Sequence, residues 1–220
     1  MRAIDLLDHG MQLRPEAPCV IDAHGVHTHD AIRRLSHRIA DGLHACDVRR
    51  GSRVAVYAPN VGLAFAAMIG VLRAGAVWLP VAARNPMHEK IDFLVENRCE
   101  FIFFHSSLAD DVARMCAALP HLKGTVCLDG ACGAAPALLR WAAQWSESFA
   151  GDEHGPEDLA WVKGTGGTTG RPKSVMICHR NVEALFATFH LCMPLDVPHV
   201  NLVAAPLTHG AGNIALAVLF

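Results

Sequence analysis

Along residues 30–45 the apolar side chains Ile32, Leu35, Ile39 and Leu43 recur every three or four positions, which predicts a helix with one buried stripe. Upstream, PCVIDAHGVHTHDAI carries two short alternating runs on either side of His24-Gly25, the pattern of a hairpin. Beyond residue 50 the pattern changes. Residues 53–57 and 76–80 are short, β-favouring apolar runs, and 61–74 between them reads as a helix with Gly75 just past its end. Strand, helix and strand at this spacing predict a parallel βαβ unit, because a parallel return requires a crossover. Residues 101–104, 125–129 and 159–162 predict further strands, and 110–119 a helix. The stretch 130–157, rich in Ala, Gly and acidic residues, predicts a surface excursion with one short helix.

The pattern resumes after a polar, glycine-rich break. Residues 174–179 predict a strand, 181–190 a helix, and VNLVAAP (200–206) a buried strand. LTHGAGNIALAVLF then begins a helix that reaches Phe220 with no stop signal, so the expectation is an α/β fold cut short.

Composition narrows the classes. With 52% hydrophobic and 18% charged residues the chain is globular rather than disordered. A net charge of −2 gives no electrostatic footprint for nucleic acid or an anionic membrane. No apolar run approaches the ~20 residues of a membrane span. The N-terminus MRAIDLLDHG lacks the apolar core of a signal peptide, and the eight cysteines contain no CxxC pair. Reduced thiols in a cytoplasmic protein are the resulting expectation. His24, His27 and His29 read as solvated hairpin residues rather than a metal site, and Cys127 and Cys132 match no redox spacing. The acidic residues of SESFAGDEHGPED read as a solvated run.

The break itself carries the chemistry. Within WVKGTGGTTGRPKSVMICHRN, Gly164, Gly166, Gly167 and Gly170 allow the backbone N–H groups to converge on an anion. Thr165, Thr168 and Thr169 add hydroxyl donors, and Lys173, one of only four lysines, supplies positive charge. Pro172 restricts the chain before Lys173. The usual P-loop pattern is not met, since Pro172 stands where its last glycine would be. A Gly/Thr surface turn uses the same residue types.

GTGGTTGRPKSV resembles the phosphate-binding signature of the adenylate-forming superfamily, which includes acyl-CoA synthetases, luciferases and peptide-synthetase adenylation domains. Thr165, Gly167, Thr168, Thr169, Gly170, Pro172, Lys173 and Val175 match. Gly164 replaces an aromatic residue, Gly166 a serine and Ser174 a glycine. His179 and Asn181 match a common continuation, and APLTHGAG resembles the next core motif, with His209 in its histidine position. SHRIADGLHACDVRRGSRVAVYAPN and GVLRAGAVWLPVAARNPMHEKIDFLVENRCEFIFF resemble the preceding segments, so the likeness spans nearly the whole chain.

The resemblance implies the N-terminal part of a parallel-rich α/β domain that activates a carboxylic acid with ATP and Mg2+ and passes the acyl group to CoA. It implies that Thr165, Gly166, Gly167, Thr168, Thr169, Gly170 and Lys173 bind phosphate, and that His209 and Gly210 border the acyl pocket. Adenine, ribose and metal contacts and the catalytic lysine are expected beyond Phe220, which leaves no catalytic or metal residue within these 220 positions. His179 is open to two readings, a nucleotide contact or packing at a helix start. Amino-acid-activating relatives usually carry an Asp near the second motif. No acidic residue follows His209 here, which favours a fatty or aromatic acid. Two alternatives stay open, a peptide-synthetase adenylation domain and a short, non-catalytic nucleotide-binding module.

Overall fold

The computed structural model describes residues 2–151, 155–164, 173–193 and 200–217. Helix α1 (Ala3–Leu13) precedes the hairpin of β1 (Pro18–Asp22) and β2 (Gly25–Thr28), which turns at the expected His24-Gly25. The helix α2 (His29–Ala45) follows, started by the Thr28 hydroxyl accepting from the Ala31 N–H at 3.2 Å. Its buried positions include Ile32, Ile39 and Leu43, three of the stripe read from the sequence.

The expected βαβ unit is β3 (Arg53–Tyr57), α3 (Gly62–Arg73) and β4 (Val77–Pro80), with Val54 opposite Trp78 in parallel register. Gly75 has φ +70°, the left-handed conformation that ends a helix cheaply only with glycine. Next come α4 (Met87–Glu96), β5 (Phe101–Phe104), α5 (Ala109–Ala118), β6 (Gly124–Cys127) and α6 (Leu138–Ala142). The chain closes with β7 (Leu159–Gly164), β8 (Ser174–Cys178), α7 (His179–Cys192) and α8 (Gly210–Ala217). The larger sheet has the order β6-β5-β3-β4-β7-β8, parallel throughout except for β8, which runs antiparallel to β7.

Alternating strand residues feed two cores. Val54, Val56, Trp78, Phe103 and Trp161 point to one face, under α1, α2, α3, α6 and α7. Ala55, Tyr57, Leu79, Ile102 and Phe104 point to the other, under α4 and α5. The α/β class with a mostly parallel sheet is therefore as read from the sequence.

Three expectations need correction or extension. Residues 130–157 do hold one short helix, but it is not merely superficial. Leu138, Trp141 and Ala142 are buried, and the Trp141 ring lies 5.9 Å from Phe103 and 6.1 Å from Phe101. Residues 200–206 are not a buried strand: Val200 and Leu202 are 95% and 87% exposed, and the segment pairs with no strand among the described residues. Residues 203–207 are held instead by the Asn60 side chain, described below. Helices α1 and α4 were not read from the sequence at all.

Each of those two helices contributes to a polar cluster of the interior. Arg73 of α3, buried, makes a bidentate pair with Asp8 of α1 and donates to the Ser36 hydroxyl of α2 at 2.9 Å. On the other face the Lys90 ammonium of α4 donates to Tyr57 Oη at 2.8 Å and Asp111 Oδ2 at 2.7 Å, and Tyr57 Oη donates to the same carboxylate at 2.5 Å. Burial pulls the Lys90 ammonium down, but its bonds to Asp111 and Tyr57 prevail and hold it above the usual lysine range. The Lys90 and Tyr57 bonds hold Asp111 below the usual carboxylate range.

Lys90→Met should therefore lower stability by about 1–3 kcal/mol near neutral pH, because a charge-assisted bond and its cation are lost together. The raised lysine contributes below its unfolded value and loses that contribution as pH climbs through its folded one. The lowered carboxylate contributes above its unfolded value and loses it as pH falls through its folded one. Urea denaturation of both proteins should show a difference that is flat around neutral pH and shrinks at both extremes. A difference unchanged at low and high pH would assign the effect to packing alone.

Candidate functional site at the carboxyl edge of the sheet

Five parallel strands all finish on the same edge, at Tyr57, Pro80, Phe104, Cys127 and Gly164. Open α/β sheets bind ligands at this edge, where loops are free to vary over a rigid scaffold. The glycine-rich break leaves β7 here and returns as β8. Residues 165–172, and with them Thr165, Gly166, Gly167, Thr168, Thr169 and Gly170, lie outside the described residues. Their two flanks are placed: Gly164 stands opposite Ser174 and Lys163 opposite Val175 in the antiparallel ladder.

Several contacts anchor this hairpin. Asn97, just past α4, donates from Nδ2 to Ser174 Oγ at 3.0 Å and to the Phe93 carbonyl at 2.8 Å. Ser174, a departure from the family glycine, thus ties the loop's exit to α4. Lys173 is exposed where the chain enters β8. Lys163 is different. Its ammonium lies 5.2 Å from the centroid of Trp161 and 5.7 Å from that of Trp78, and burial lowers it to about 8.

His179 and Asn181 take structural parts in α7. His179 is 1% exposed in the first turn, which agrees with the packing reading. The Asn181 side-chain oxygen accepts from the Cys178 N–H and Sγ, both at 3.0 Å, and closes the helix start.

The second motif forms a turn ahead of α8. The His209 N–H donates to the Pro206 carbonyl at 3.0 Å, and the Gly212 N–H donates to the His209 carbonyl at 3.1 Å. His209 and Gly210 are exposed, and open space surrounds the position of a Gly210 Cβ. Gly212 is small for another reason than substrate room: a Cβ there would overlap the Leu207 carbonyl oxygen.

Two clefts open near this edge. One, about 750 Å³, lies between α1, β1, the β3–α3 turn and residues 200–203. The other, about 710 Å³, is bordered by His24, His27, His105 and Asp129. Asp129 is held at about 2, since the Ser106 hydroxyl and amide outweigh the burial that would raise it. Neither lining includes Lys173 or His209 among the described residues. No group of three or more His, Cys, Asp or Glu is placed to hold a metal ion among them either. No helix among them is long and apolar enough to cross a membrane.

An adenylate-forming fold, with a glycine-rich hairpin on its carboxyl edge, defines the class. The chain belongs to the AMP-binding enzyme family, whose model matches residues 7–220. It is 31% identical over 216 residues to feruloyl-CoA synthase of an Amycolatopsis species, covering 94% of this chain and 40% of that protein. It is 31% identical over 171 residues to pyochelin synthetase PchF of Pseudomonas aeruginosa, covering 78% of this chain and 8% of that one. The crystal structure of ATP-bound MatB from Rhodopseudomonas palustris superposes with a TM-score of 0.83 at 26% identity, covering all of this chain and 44% of the other. The chain thus spans less than half the length of each of these three proteins.

Asn60, Asn97 and Lys163 are the site's neighbours that sequence reading passed over. Only Lys163 left a signal, a rare lysine next to the glycine run. The native state should bind fewer protons at Lys163 than the unfolded chain between pH about 8 and the ordinary lysine value of about 10.4. Stability should therefore rise with pH across that window, and Lys163→Met should flatten the rise. Methyl-labelled lysine NMR should find the Lys163 ammonium titrating near 8; a Lys163 value above 10 would refute the burial argument.

Proposed function

We propose that this chain is the N-terminal part of an AMP-binding domain that activates a carboxylic acid with ATP, within a longer enzyme. A carboxylate oxygen attacks the α-phosphorus, the bond to the β-phosphate oxygen breaks, and acyl-adenylate and pyrophosphate result. A thiol, taken here as that of CoA, then attacks the acyl carbon, and AMP leaves as the C–O bond breaks. The observation that carries this reading is the glycine-rich hairpin tip, bracketed by Gly164 and Ser174 at the carboxyl edge of the sheet, in a chain matched to the family over residues 7–220.

In this reading the amides and hydroxyls of residues 165–170 and the Lys173 ammonium hold the β- and γ-phosphates, where they stabilise charge on the leaving pyrophosphate. His209 and Gly210 border the acid. Magnesium would accompany the triphosphate, shielding its charge; the described residues present no ligand cluster for it, so no step is routed through the ion. The acid is an uncharged one, aromatic or fatty. Support comes from the likeness to feruloyl-CoA synthase and from the absence of an acidic residue between His209 and Phe220. The likeness to pyochelin synthetase PchF favours a second reading, a peptide-synthetase adenylation domain, whose acyl acceptor is a carrier-bound thiol.

Pyrophosphate exchange with a panel of fatty, aromatic and amino acids tests the reaction and separates the two substrates. The enzyme as isolated from its source is the material, and its intact mass should exceed 23.7 kDa. A mass equal to that figure would favour the non-catalytic module. Lys173→Ala should slow exchange about 100-fold, the scale of one lost donor to developing charge. Exchange at the wild-type rate would overturn the role given to the loop. His209→Ala should raise KM for the acid with little change in Tm, whereas a large Tm loss with normal kinetics would make His209 a packing residue.

A further inference from the structure

Residues 203–207 are held by a single side chain about 145 positions away in sequence. Asn60, in the turn between β3 and α3, donates from Nδ2 to the Val203 carbonyl at 3.1 Å and to the Ala205 carbonyl at 2.9 Å. Its Oδ1 accepts from the Leu207 N–H at 2.9 Å. These three groups lie on both sides of a bend at Ala205, just after the Ala204 N–H bonds the Leu202 carbonyl at 3.1 Å. The planar amide thus satisfies backbone groups that no strand pairs among the described residues. Its orientation follows from its partners, because two carbonyls require the NH2 and an N–H requires the oxygen. Apolar burial contributes little, since Val203 and Leu207 are only half-buried and Val200 and Leu202 just before them are almost fully exposed.

The constraint continues towards His209. Leu207 is fixed at its N–H by Asn60, and its carbonyl packs against Gly212, where no Cβ fits. The bonds from the His209 N–H to Pro206 and from the Gly212 N–H to His209 close the turn between them. Asn60 is itself anchored, because the Gly62 N–H two residues on donates to Asp22 Oδ2 of the β1–β2 hairpin at 2.7 Å.

We propose that Asn60 is a positioning residue for the reaction, fixing the His209 turn against the carboxyl end of β3 so that the acid is presented correctly; this rests on the reading of His209 as part of the acid pocket. Asparagine is the side chain for the task. Aspartate keeps the shape and the acceptor but replaces the NH2 and its two donor hydrogens by one oxygen facing both carbonyls. Leucine keeps the bulk and removes all three bonds.

The test uses the enzyme from its source with Asn60→Asp, Asn60→Leu, His209→Ala and the double variants. In Asn60→Leu, hydrogen exchange at the Leu207 amide should speed up about tenfold or more, the equivalent of one lost bond of typical strength. Both Asn60 variants should raise KM for the acid by about tenfold while KM for ATP stays within about twofold. The Asn60→Asp defect should shrink as pH falls and the new carboxyl protonates, because the acid form regains one donor. Adding Asn60→Asp to His209→Ala should cost little more than His209→Ala alone. If Asn60→Leu fails to fold, the Asn60→Asp kinetics and their pH rescue decide the matter. Unchanged Leu207 exchange, or an unchanged acid KM in Asn60→Asp beside a raised one in His209→Ala, would overturn the proposal. Normal acid kinetics in His209→Ala together with fast Leu207 exchange in Asn60→Leu would instead remove the His209 reading, and the catalytic role of Asn60 with it, while leaving the clamp.

Discussion

The sheet is continuous because β4 and β7 meet at Trp78 and Trp161. These two residues face each other in the parallel ladder, and their rings make an edge-to-face contact with centroids 6.0 Å apart. β7, and through it β8, joins the rest of the sheet at this junction. Both indoles are buried, so the junction is bought with apolar area rather than a long run of ladder bonds. Two polar contacts support it from outside, Asn97 to Ser174 and Arg50 to Asp158 at 2.8 Å.

The interior polar groups and the edge groups answer to different requirements. Arg73 with Asp8, and Lys90 with Tyr57 and Asp111, are saturated by their own partners and join helices across the two faces. Nothing in them is left to act on a ligand. The carboxyl edge differs in exposure. Lys173, His209 and Gly210 are exposed, and the loop between Gly164 and Lys173 carries more donors than a turn of its length requires. Exposed groups on loops above a packed scaffold can vary without disturbing the core.

Glycine and asparagine show how limited single-residue reading is. Gly212 looks in the sequence like any small residue near a helix start, yet its size answers to the Leu207 carbonyl. Asn60 sits in a polar turn like many others, yet it bonds backbone groups of residues 203–207. In both cases the deciding atom comes from a partner that periodicity does not reveal. Asn181, by contrast, acts within three residues of its own position.

Local pattern alone determined the strands of the parallel sheet, the β1–β2 hairpin, α2 and α3 and the glycine-rich loop with its lysine. These rest on spacings of two to four residues and on backbone freedoms that glycine and proline impose wherever they stand. The motif likewise named the family, because its residues are contiguous. Tertiary structure decided the rest: that Trp141 enters the core, that His179 is packed inside, that 200–206 is not a strand and is tied down by Asn60, and that Ser174 is tied to α4. Each of these depends on a partner far along the chain, and only folding brings such partners within bonding distance.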